Sequence, residues 1–510
     1  MATRIHPMNR LTARDLLDLV IDAGTWESWD TPPIPVATDS DYAEALLRAQ
    51  EKTGLDESVL TGSASVRGRR VAIIVCEFGF LGGSIGVAAG ERLVVAIRRA
   101  TQEQLPLLAL PTSGGTRMQE GTTAFLQMVK ITAALIKHKE AHLPYIVYLR
   151  NPTTGGVFAS WGSLGHVTIA EPGALVGFLG PRVFEALYNS PFPAGVQTAE
   201  NLHEHGLIDA VRPPDQLAEI VERALRIITG AHRGYLLPSD PCSYDCPPDT
   251  SAWESVVASR REDRPGIREV LLNSASDMLP LNGTGQGEND PGIMLALVRF
   301  GDMPCVLLGQ DRRGQTAHSP LGPGALREAR RGMRLAAELD LPLVTIIDTA
   351  GAALSKEAEE GGLAGEIARC IADMISLEVP TISLLLGQGT GGGALALIPA
   401  DRVLAARHGW LSPLPPEGAS AIMFHDVTHA PDMAASQGIR SFDLLAGGIV
   451  DRVIPEFPDA ADESAAFCTR VGAVLHYELS VLSTTDATER LNTRTERIDR
   501  IGLVEASTSV

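Results

Sequence analysis

The sequence predicts an α/β fold with two similar domains, each built on buried parallel strands. Two stretches, residues 105–121 and 341–356, each run from a proline through a short apolar segment to a glycine beside small residues. This pattern is typical of a buried parallel strand that ends in a loop, because the apolar segment is too short and too β-branched for a core helix. Open α/β folds bind ligands at such strand ends, so both stretches are candidate site elements.

The spacing of prolines and glycines indicates an internal repeat. Pro106 precedes Pro144 by 38 residues, and Pro342 precedes Pro380 by the same 38 residues. Each second proline opens another predicted strand that runs to a glycine turn. The repeat therefore predicts two homologous domains with two glycine turns each. These turns contain Gly114-Gly115 and Gly155-Gly156 in the first half, and Gly351 and Gly391-Gly392-Gly393 in the second.

The length of the chain agrees with this duplication. A chain of 510 residues is too long for a single hydrophobic core. We expect a helical N-terminal extension over residues 1–60, a first domain over 61–232, a linker over 233–252 and a second domain over 253–510. The linker is predicted from its prolines and turn-forming residues.

The composition argues against several classes of function. The net charge of −19 disfavours general nucleic-acid binding, although a few local arginines can still hold a phosphorylated ligand. No apolar run approaches the roughly 20 residues that span a bilayer, and the N-terminus lacks the apolar region of a signal peptide. The six scattered cysteines are expected to be reduced and buried, so we expect a cytoplasmic protein.

The glycine turns are candidate anion-binding elements. A glycine turn between a strand and a helix exposes backbone N–H groups, and the helix N-terminus adds partial positive charge. Two such turns at one oxygen form an oxyanion hole, which stabilises negative charge as it develops. The alternative is that the glycines only allow close packing of strand and helix. Four turns in two matched pairs favour the functional interpretation.

Three other patterns are weaker. Ser84 lies in a G-x-S-x-G sequence, but nothing around the candidate partners His166 and His205 indicates a hydrolase, so a structural turn is favoured. Residues 387–392 fit G-x-G-x-x-G but lack the acidic residue expected about 20 positions later. The C-x3-C pair in the predicted linker has no second pair, which makes it weak evidence for zinc.

Two arginines are candidate substrate-binding residues. Arg117 follows the first glycine turn, where it is expected either to hold a phosphate or to orient the loop; an ion pair with Glu120 is the alternative. Arg264 belongs to a basic cluster, residues 259–265, that is expected either to meet phosphate or to be solvated.

The motifs together resemble the carboxyltransferase component of biotin-dependent acyl-CoA carboxylases, above all that of bacterial acetyl-CoA carboxylase. The first half resembles the β subunit, and the second half resembles the α subunit. The segments that carry the resemblance are 80–86, 113–121, 151–156 and 170–181 in the first half, and 261–265, 347–351, 387–394 and 412–420 in the second.

The resemblance implies a fold, a reaction and a set of partners. It implies two tandem crotonase-like domains, and a homodimer in which the first domain of one chain faces the second domain of the other. It implies transfer of a carboxyl group from carboxybiotin to acetyl-CoA, which gives malonyl-CoA for fatty acid synthesis. In this chemistry the urea nitrogen of biotin can take the α-proton of the thioester, so no protein base is required. Biotin carboxylase and a biotin carboxyl carrier protein are the implied partners.

The resemblance also assigns the glycine turns to two anions, the thioester enolate and the urea oxyanion. Gly115 with Gly156 is expected to serve the acyl-CoA side, and Gly351 with Gly393 or Ala394 the biotin side. The predicted catalytic residues are Gly114, Gly115, Gly155, Gly156, Gly351, Gly392, Gly393 and Ala394, and the predicted substrate-binding residues are Arg117 and Arg264.

The sequence departs from the family pattern in several places. No cysteine precedes Cys76, so the zinc ribbon of the bacterial β subunit is not expected. The loop at 350–355 lacks the aromatic residue of the α-type loop, which is expected to change the biotin side. None of the five lysines follows a methionine, so biotin is expected on another chain. A decarboxylase component and a non-catalytic scaffold of a carboxylase complex are the alternative functions.

Overall fold

The structure is a computed structural model, and it describes residues 10–35, 39–232, 237–241, 250–316 and 319–502. The chain divides into two compact units. The first comprises Met1–Arg226 with Gly285–Gly287, and the second comprises Ile227–Thr284 with Glu288–Val510. The predicted linker lies only partly within the described residues and stays a prediction. Cys242 and Cys246 lie outside the described residues.

The first unit is organised around a mixed sheet whose strands have the order β1-β2-β3-β4-β5-β7-β9 in the described part of the chain. The β1–β2 and β2–β3 pairs are antiparallel and the remaining pairs are parallel. A separate parallel pair, β6 with β8, lies beyond the end of β5. The strands are β1 (Glu27–Ser28), β2 (Val59–Val66), β3 (Arg69–Cys76), β4 (Leu107–Leu110), β5 (Tyr145–Leu149), β6 (Thr153–Thr154), β7 (Val167–Ala170), β8 (Val176–Gly177) and β9 (Ala210–Val211).

Helices connect these strands, and their apolar sides form the core with one face of the sheet. Ile74, Ala109 and Val147 come from three neighbouring strands and belong to the same buried cluster as Leu93 and Ile131. The helices are α1 (Ala13–Val20), α2 (Ser40–Thr53), α3 (Val87–Gln102), α4 (Gly121–Phe125), α5 (Gln127–Glu140), α6 (Pro181–Tyr188), α7 (Ala199–Glu204) and α8 (Leu217–Ile228).

Local sequence explains where several of these helices begin and end. The Thr12 side chain accepts the amide of Asp15 while Asp15 accepts the amide of Thr12, and this capping box starts α1. Gly54 ends α2 with φ +67°, a left-handed conformation that favours glycine. Leu126 separates α4 from α5, so the segment after the first glycine turn forms two consecutive helices.

The second unit repeats the arrangement. Its described strands follow the order β10-β11-β12-β13-β14-β15-β17, with an antiparallel start and a parallel remainder. β16 adds to the end of β14 in parallel. The strands are β10 (Ala275–Leu281), β11 (Ile293–Phe300), β12 (Met303–Gln310), β13 (Leu343–Thr349), β14 (Thr381–Thr390), β15 (Arg402–Ala406), β16 (Trp410–Ser412) and β17 (Arg452–Ile454).

The helices of the second unit surround its sheet, and α10 and α18 supply much of the buried cluster on one face. Among the described residues, no helix combines the length and the apolar character needed to cross a membrane. The helices are α9 (Ala252–Ser259), α10 (Ile267–Ser274), α11 (Pro323–Leu339), α12 (Lys356–Glu360), α13 (Leu363–Ser376), α14 (Gly391–Leu395), α15 (Pro416–Phe424), α16 (Ala430–Ser436), α17 (Ser441–Ala446), α18 (Ser464–Thr484) and α19 (Ala487–Arg500).

Candidate active site

The two glycine turns of the first unit meet each other. The turn after β4 contains Gly115, and the turn after β6 contains Gly155. A Cβ atom on Gly115 would lie 3.4 Å from the Cα of Gly155, and one on Gly155 would lie 3.3 Å from the Cα of Gly115. Both residues also have positive φ, +111° and +65°. Glycine is therefore required at both positions by backbone conformation and by close approach.

Most of the glycine amides in these two turns already donate hydrogen bonds within the protein. The acceptors are the Gly82 carbonyl for Gly114 (2.9 Å), the Ser113 Oγ for Gly115 (2.9 Å), and the Gly177 and Phe178 carbonyls for Gly155 (3.2 and 2.9 Å). A backbone amide carries a single proton, so an amide engaged in this way has no donor left for a substrate oxygen. Three of the four predicted glycine amides therefore hold the turns together.

Two other amides at the meeting point, those of Thr116 and Gly156, donate to no residue in the part of the chain that the structure describes. Both residues are half-buried. They are also neighbours, because a Cβ atom on Gly156 would lie 3.2 Å from Thr116 Oγ1. The site thus holds two unpaired N–H groups in one small region, which is the donor set that an oxyanion hole requires.

Thr116 was missed in the sequence analysis, although the sequence contains a signal for it. Ser113 stands two residues before Gly115, and serine often bonds the backbone amide two residues on. Because that bond occupies the Gly115 amide, the amide of the next residue, Thr116, is the one that remains available to a substrate.

The second unit contains the same turn. The amide of Gly351 donates to Oγ1 of Thr349 at 3.1 Å, as that of Gly115 does to Ser113. Ala352 forms a parallel bridge with Leu321, as Thr116 does with Ile85 in the first unit. The amide of Ala352 has no acceptor among the described residues. Ala352 therefore occupies the position in the second unit that Thr116 occupies in the first.

The partner of this turn is the start of α14. This helix begins at Gly391, and its N-cap residue Thr390 makes no side-chain cap. The amides of the first three helical residues have no acceptor within the helix, whereas the amide of Ala394, the fourth, can bond back to Thr390. The Ala352 nitrogen would lie 3.5 Å from a Cβ atom on Gly393. The free amide of Ala352 and the start of α14 thus lie side by side.

A buried glutamine connects the two parts of this second site. Gln310 at the end of β12 is fully buried. Its Nε2 donates to the Gly393 carbonyl at 2.7 Å, and its Oε1 accepts the Asp348 amide at 3.1 Å. Gln310 therefore fixes the start of α14 against the end of β13.

Arg117 lies beneath the first turn and not at its surface. It is 1% exposed, and its guanidinium forms ion pairs with Glu57 and Glu120. Its Nη1 also contacts the hydroxyl of Tyr42 at 3.3 Å, and its Nη2 donates to the Ser84 carbonyl at 2.9 Å. These bonds use the donors of the guanidinium, so the contacts of Arg117 are those of a residue that orients the loop. We therefore do not propose Arg117 as a phosphate ligand.

The hydroxyl of Tyr42 completes this cluster. It donates to Oε1 of Glu120 at 2.5 Å, while Oε2 of Glu120 accepts the Val87 amide at the start of α3, also at 2.5 Å. Burial, together with the hydrogen bond to Glu120, raises the pKa of Tyr42 to about 12, so the hydroxyl keeps its proton. α2 is thereby bonded to the loop that carries the first turn.

Arg264 is also enclosed by its own unit. It is 2% exposed, and both Nη atoms bond the carboxylate of Glu456, at 2.7 and 2.8 Å. Its Nη2 also donates to the Leu386 carbonyl at 3.0 Å. This arginine bonds the segment before α10 to the sheet. We therefore do not propose Arg264 as a substrate ligand either.

The weaker sequence patterns also have structural explanations. The Ser84 hydroxyl donates to the Leu81 carbonyl at 2.8 Å, which is a turn contact. Gly387 and Gly389 lie within β14, where a Cβ atom would come within 2.6 Å of the Asp348 carboxylate or the Trp410 carbonyl. These glycines serve packing and do not form a nucleotide loop. Within the described ranges, no group of three or more metal-ligating side chains is arranged to hold an ion.

Comparison with known proteins agrees with this geometry. The carboxyl transferase domain model matches residues 4–492. This match spans nearly the whole sequence, so the chain belongs to the carboxyl transferase family, as its motifs predicted.

Two named relatives indicate which kind of carboxyl transferase this chain is. The probable biotin-dependent acyl-coenzyme A carboxylase beta3 subunit of Mycobacterium tuberculosis is 59% identical over 97% of this chain and 99% of that protein. The acetyl-coenzyme A carboxylase carboxyl transferase subunits beta/alpha of Saccharopolyspora erythraea are 35% identical over 97% of this chain and 89% of that protein. The chain is thus a biotin-dependent carboxyltransferase that acts on a CoA thioester.

A solved structure confirms the fold. Transcarboxylase 12S with hydrolysed methylmalonyl-coenzyme A bound has a TM-score of 0.72 and 20% identity, over 94% of this chain and 90% of that chain. A single-chain, multi-domain long-chain acyl-CoA carboxylase has a TM-score of 0.67 and 18% identity, over 90% of this chain and 45% of that chain. The prediction of tandem crotonase-like domains is confirmed.

Proposed function

We propose that this chain moves the carboxyl group from biotin on a separate carrier protein to acetyl-CoA, giving malonyl-CoA for fatty acid synthesis. The observation that carries the proposal is that the neighbouring amides of Thr116 and Gly156 have no acceptor among the described residues, and that in the second unit the Ala352 amide, which likewise has none there, lies beside the start of α14. Two anions have to be stabilised in such a transfer, and the chain presents two sites with free amides.

In the first unit, the amides of Thr116 and Gly156 are proposed to donate to the thioester oxygen of the acyl group. Loss of a proton from the adjacent carbon places negative charge on that oxygen. The amides are already held by turns whose other hydrogen bonds are satisfied, so they need no rearrangement as charge develops. One such donor is typically worth about 100- to 1,000-fold in kcat.

In the second unit, the amides of Ala352, Gly392 and Gly393 are proposed to donate to the urea oxygen of biotin. Biotin supplies the carboxyl group, and it arrives on its carrier because no lysine here stands in a Met-Lys setting. Ala352 lies in the turn after β13, Gly392 and Gly393 lie at the start of α14, and Gln310 bonds both the end of β13 and the start of α14. Fixed donors of this kind orient the ring and exclude water from one side of it.

Acetyl-CoA is proposed as the acceptor because relatives 34–36% identical are named acetyl-coenzyme A carboxylase subunits. The 59% identical relative is named for an acyl-coenzyme A, so the experiment compares two acyl groups. The test is the rate of product formation by the purified chain with biotin carboxylase, carboxylated carrier and either acetyl-CoA or propionyl-CoA. A higher kcat/KM for propionyl-CoA would refute the acetyl assignment.

We also propose that the chain works as a homo-oligomer together with biotin carboxylase and a biotin carboxyl carrier protein. Each unit exposes a group of apolar side chains that lie close together in the sequence, which is unusual for a surface that faces only water. In the first unit these are Met118, Phe125, Leu126 and Val129, and in the second Ile422, Met423, Phe424 and Val427. The proposal predicts that sedimentation gives at least a dimer, and that Phe125→Asp lowers both the assembly state and the activity.

A further inference from the structure

The turn after β13 has a side-chain contact that the turn after β4 lacks. The hydroxyl of Thr349 donates to Oε1 of Gln315 at 2.6 Å, and its oxygen accepts the amide of Gly351 at 3.1 Å. In the first unit, no side chain of the described residues bonds the hydroxyl of Ser113, which donates to the carbonyl of Gly115. The second turn is therefore held by a residue from outside the turn.

The side-chain amide of Gln315 is fixed at both of its ends. Its Nε2 donates to the carbonyl of Asp348 at 3.1 Å. Because one end of a glutamine amide only donates and the other only accepts, this bond determines that Oε1 faces Thr349. The backbone amide of Asp348 is bonded in turn by Gln310 at 3.1 Å. Both polar groups of the Asp348 backbone are thus held by glutamine side chains.

The short loop after β12 that carries Gln315 is itself tightly held. The amides of Gly314 and Gln315 donate to the carbonyl of Asp311 at 3.0 and 3.2 Å. Asp311 is 1% exposed. A Cβ atom on Gly314 would overlap the carbonyl oxygen of Pro291, so the loop passes close to another part of the chain. Gln315, which is half-buried, therefore reaches the second turn from a fixed position.

The contact controls where the Thr349 hydroxyl places its single proton. The carbonyl of Gly351 is a second acceptor for that proton, 3.2 Å from the hydroxyl oxygen. The shorter bond to Gln315 directs the proton away from the turn and leaves the lone pairs of the oxygen for the Gly351 amide. With that amide occupied, the amide of Ala352 is the next donor along the chain.

We infer that Gln315 is a positioning residue for the second site, where it acts through Thr349 to hold the turn that presents the Ala352 amide. The inference rests on the proposed function, because it takes this amide to bind the urea oxygen of biotin. It predicts that Gln315 affects the transfer step and leaves the binding of acyl-CoA unchanged.

The first experiment replaces Gln315 with methionine, which is unbranched and similar in size but makes neither bond. We expect Gln315→Met to lower kcat with saturating carboxylated carrier about fivefold, the effect of one lost hydrogen bond. The Kd for acyl-CoA, measured by calorimetry, should stay within twofold of the wild type. Gln102→Met, at an exposed position of α3, is the matched control and should change neither value. Melting temperatures verify that the variants fold, and Gln315→Leu serves in place of Gln315→Met if that protein does not.

A double-mutant cycle tests whether Gln315 acts through Thr349. Thr349→Val keeps the shape of the side chain and removes its hydroxyl, and we expect kcat to fall about 5- to 10-fold. Adding Gln315→Met to Thr349→Val should then lower kcat less than twofold further, because the link to Gly351 is already gone. Independent effects would instead multiply, to roughly 25- to 50-fold.

Hydrogen exchange tests the contact without any substrate. The amide of Gly351 is bonded to Thr349 in the wild type. We expect this amide to exchange at least fivefold faster in Gln315→Met, and at the wild-type rate in Gln102→Met. Mass spectrometry of the peptide that contains the second turn provides the measurement.

Each other outcome contradicts a stated claim. An unchanged kcat for Gln315→Met would overturn the inference and leave the proposed function standing. Multiplied effects in the double variant, or an equal loss of acyl-CoA affinity, would show that Gln315 does not act through Thr349 on the second site alone. A wild-type protein that transfers no carboxyl group would overturn the proposed function, and an unchanged exchange rate would overturn the role of Gln315 in the turn as well.

Discussion

The hydroxyl oxygen of Ser113 accepts the amide of Gly115 at 2.9 Å, and Thr349 accepts the amide of Gly351 in the same way at 3.1 Å. The Ser113 hydroxyl donates to the carbonyl of Gly115 at 3.3 Å, whereas the Thr349 hydroxyl donates to Oε1 of Gln315 at 2.6 Å. The bond from the glycine amide to the hydroxyl oxygen is therefore the feature that recurs in both halves of the chain. It determines which amide of each turn remains free.

Replacing Ser113 with alanine should therefore disturb the first turn. Ser113→Ala releases the Gly115 amide and removes about 1 kcal/mol of hydrogen bonding from a buried position, so we expect kcat to fall roughly 5- to 10-fold. Ser113→Thr keeps the acceptor, as in the second unit, and should retain most of the activity. The measurement is the steady-state rate of each variant with saturating carrier. Equal rates for the wild type and Ser113→Ala would contradict the role of Ser113 in holding the first turn.

A side chain at Gly156 should lower the transfer rate strongly. A Cβ atom there would lie 3.1 Å from Met128 Cγ and 3.2 Å from Thr116 Oγ1, so valine has to push the two turns apart. We expect Gly156→Val to lower kcat at least 100-fold while circular dichroism and melting temperature show an intact fold. Gly180→Ala is the control, since a Cβ atom at Gly180 meets nothing within 4 Å. Undiminished transfer by a folded Gly156→Val protein would refute the proposed role of its amide.

The sequence was sufficient for the strands and for the existence of paired turns. The strand that was predicted to open at Pro144 is β5, because an apolar run that follows a proline and ends at an arginine fixes where the strand begins and ends. The 38-residue spacing reflects a real repeat of β4, α5 and β5 in β13, α13 and β14. These features depend on local pattern and on repetition, both of which a single sequence displays.

Burial and hydrogen-bond pairing were not predictable in the same way. Arg117 is buried because Glu57, 60 positions away, faces it, and Arg264 because Glu456, 192 positions away, does. The free amide of Thr116 depends on whether Ser113 turns back to its own loop. Each of these facts is set by contacts that the fold creates between distant parts of the chain, and a single sequence does not display those contacts.

Gln310 provides a test of the second site alone. Gln310→Leu keeps the volume but removes the bonds to the Gly393 carbonyl and the Asp348 amide, which costs about 2 kcal/mol of stability at roughly 1 kcal/mol per bond. We expect turnover with carboxylated carrier to fall, while the binding of acyl-CoA to the first unit stays unchanged. Calorimetry with acyl-CoA and steady-state kinetics with carrier separate the two effects. A parallel loss of acyl-CoA affinity would show that Gln310 acts on the whole protein.

The buried carboxyl group of Glu328 is expected to make the free energy of unfolding depend on pH. It is 2% exposed on α11, and its Oε2 has no hydrogen-bond partner among the residues that the structure describes. Burial raises the pKa of Glu328 to about 8, from 4.5 in the unfolded chain. The folded protein therefore keeps a proton that the unfolded chain releases, so this residue's contribution is fully favourable below about pH 4.5 and is lost as the pH rises to about 8.

Glu328→Gln removes this dependence, because its amide has the shape of the protonated acid and does not ionise. We expect the variant and the wild type to melt at similar temperatures at pH 5, and the variant to melt several degrees higher at pH 8. Glu357→Gln, at an exposed position of α12, is the matched control and should melt as the wild type does at both values. A melting-temperature difference between Glu328→Gln and the wild type that stays constant from pH 5 to pH 8 would mean that Glu328 has an ordinary pKa. In that case Glu328 would be ionised in the folded protein at neutral pH, which contradicts the raised pKa that its burial implies.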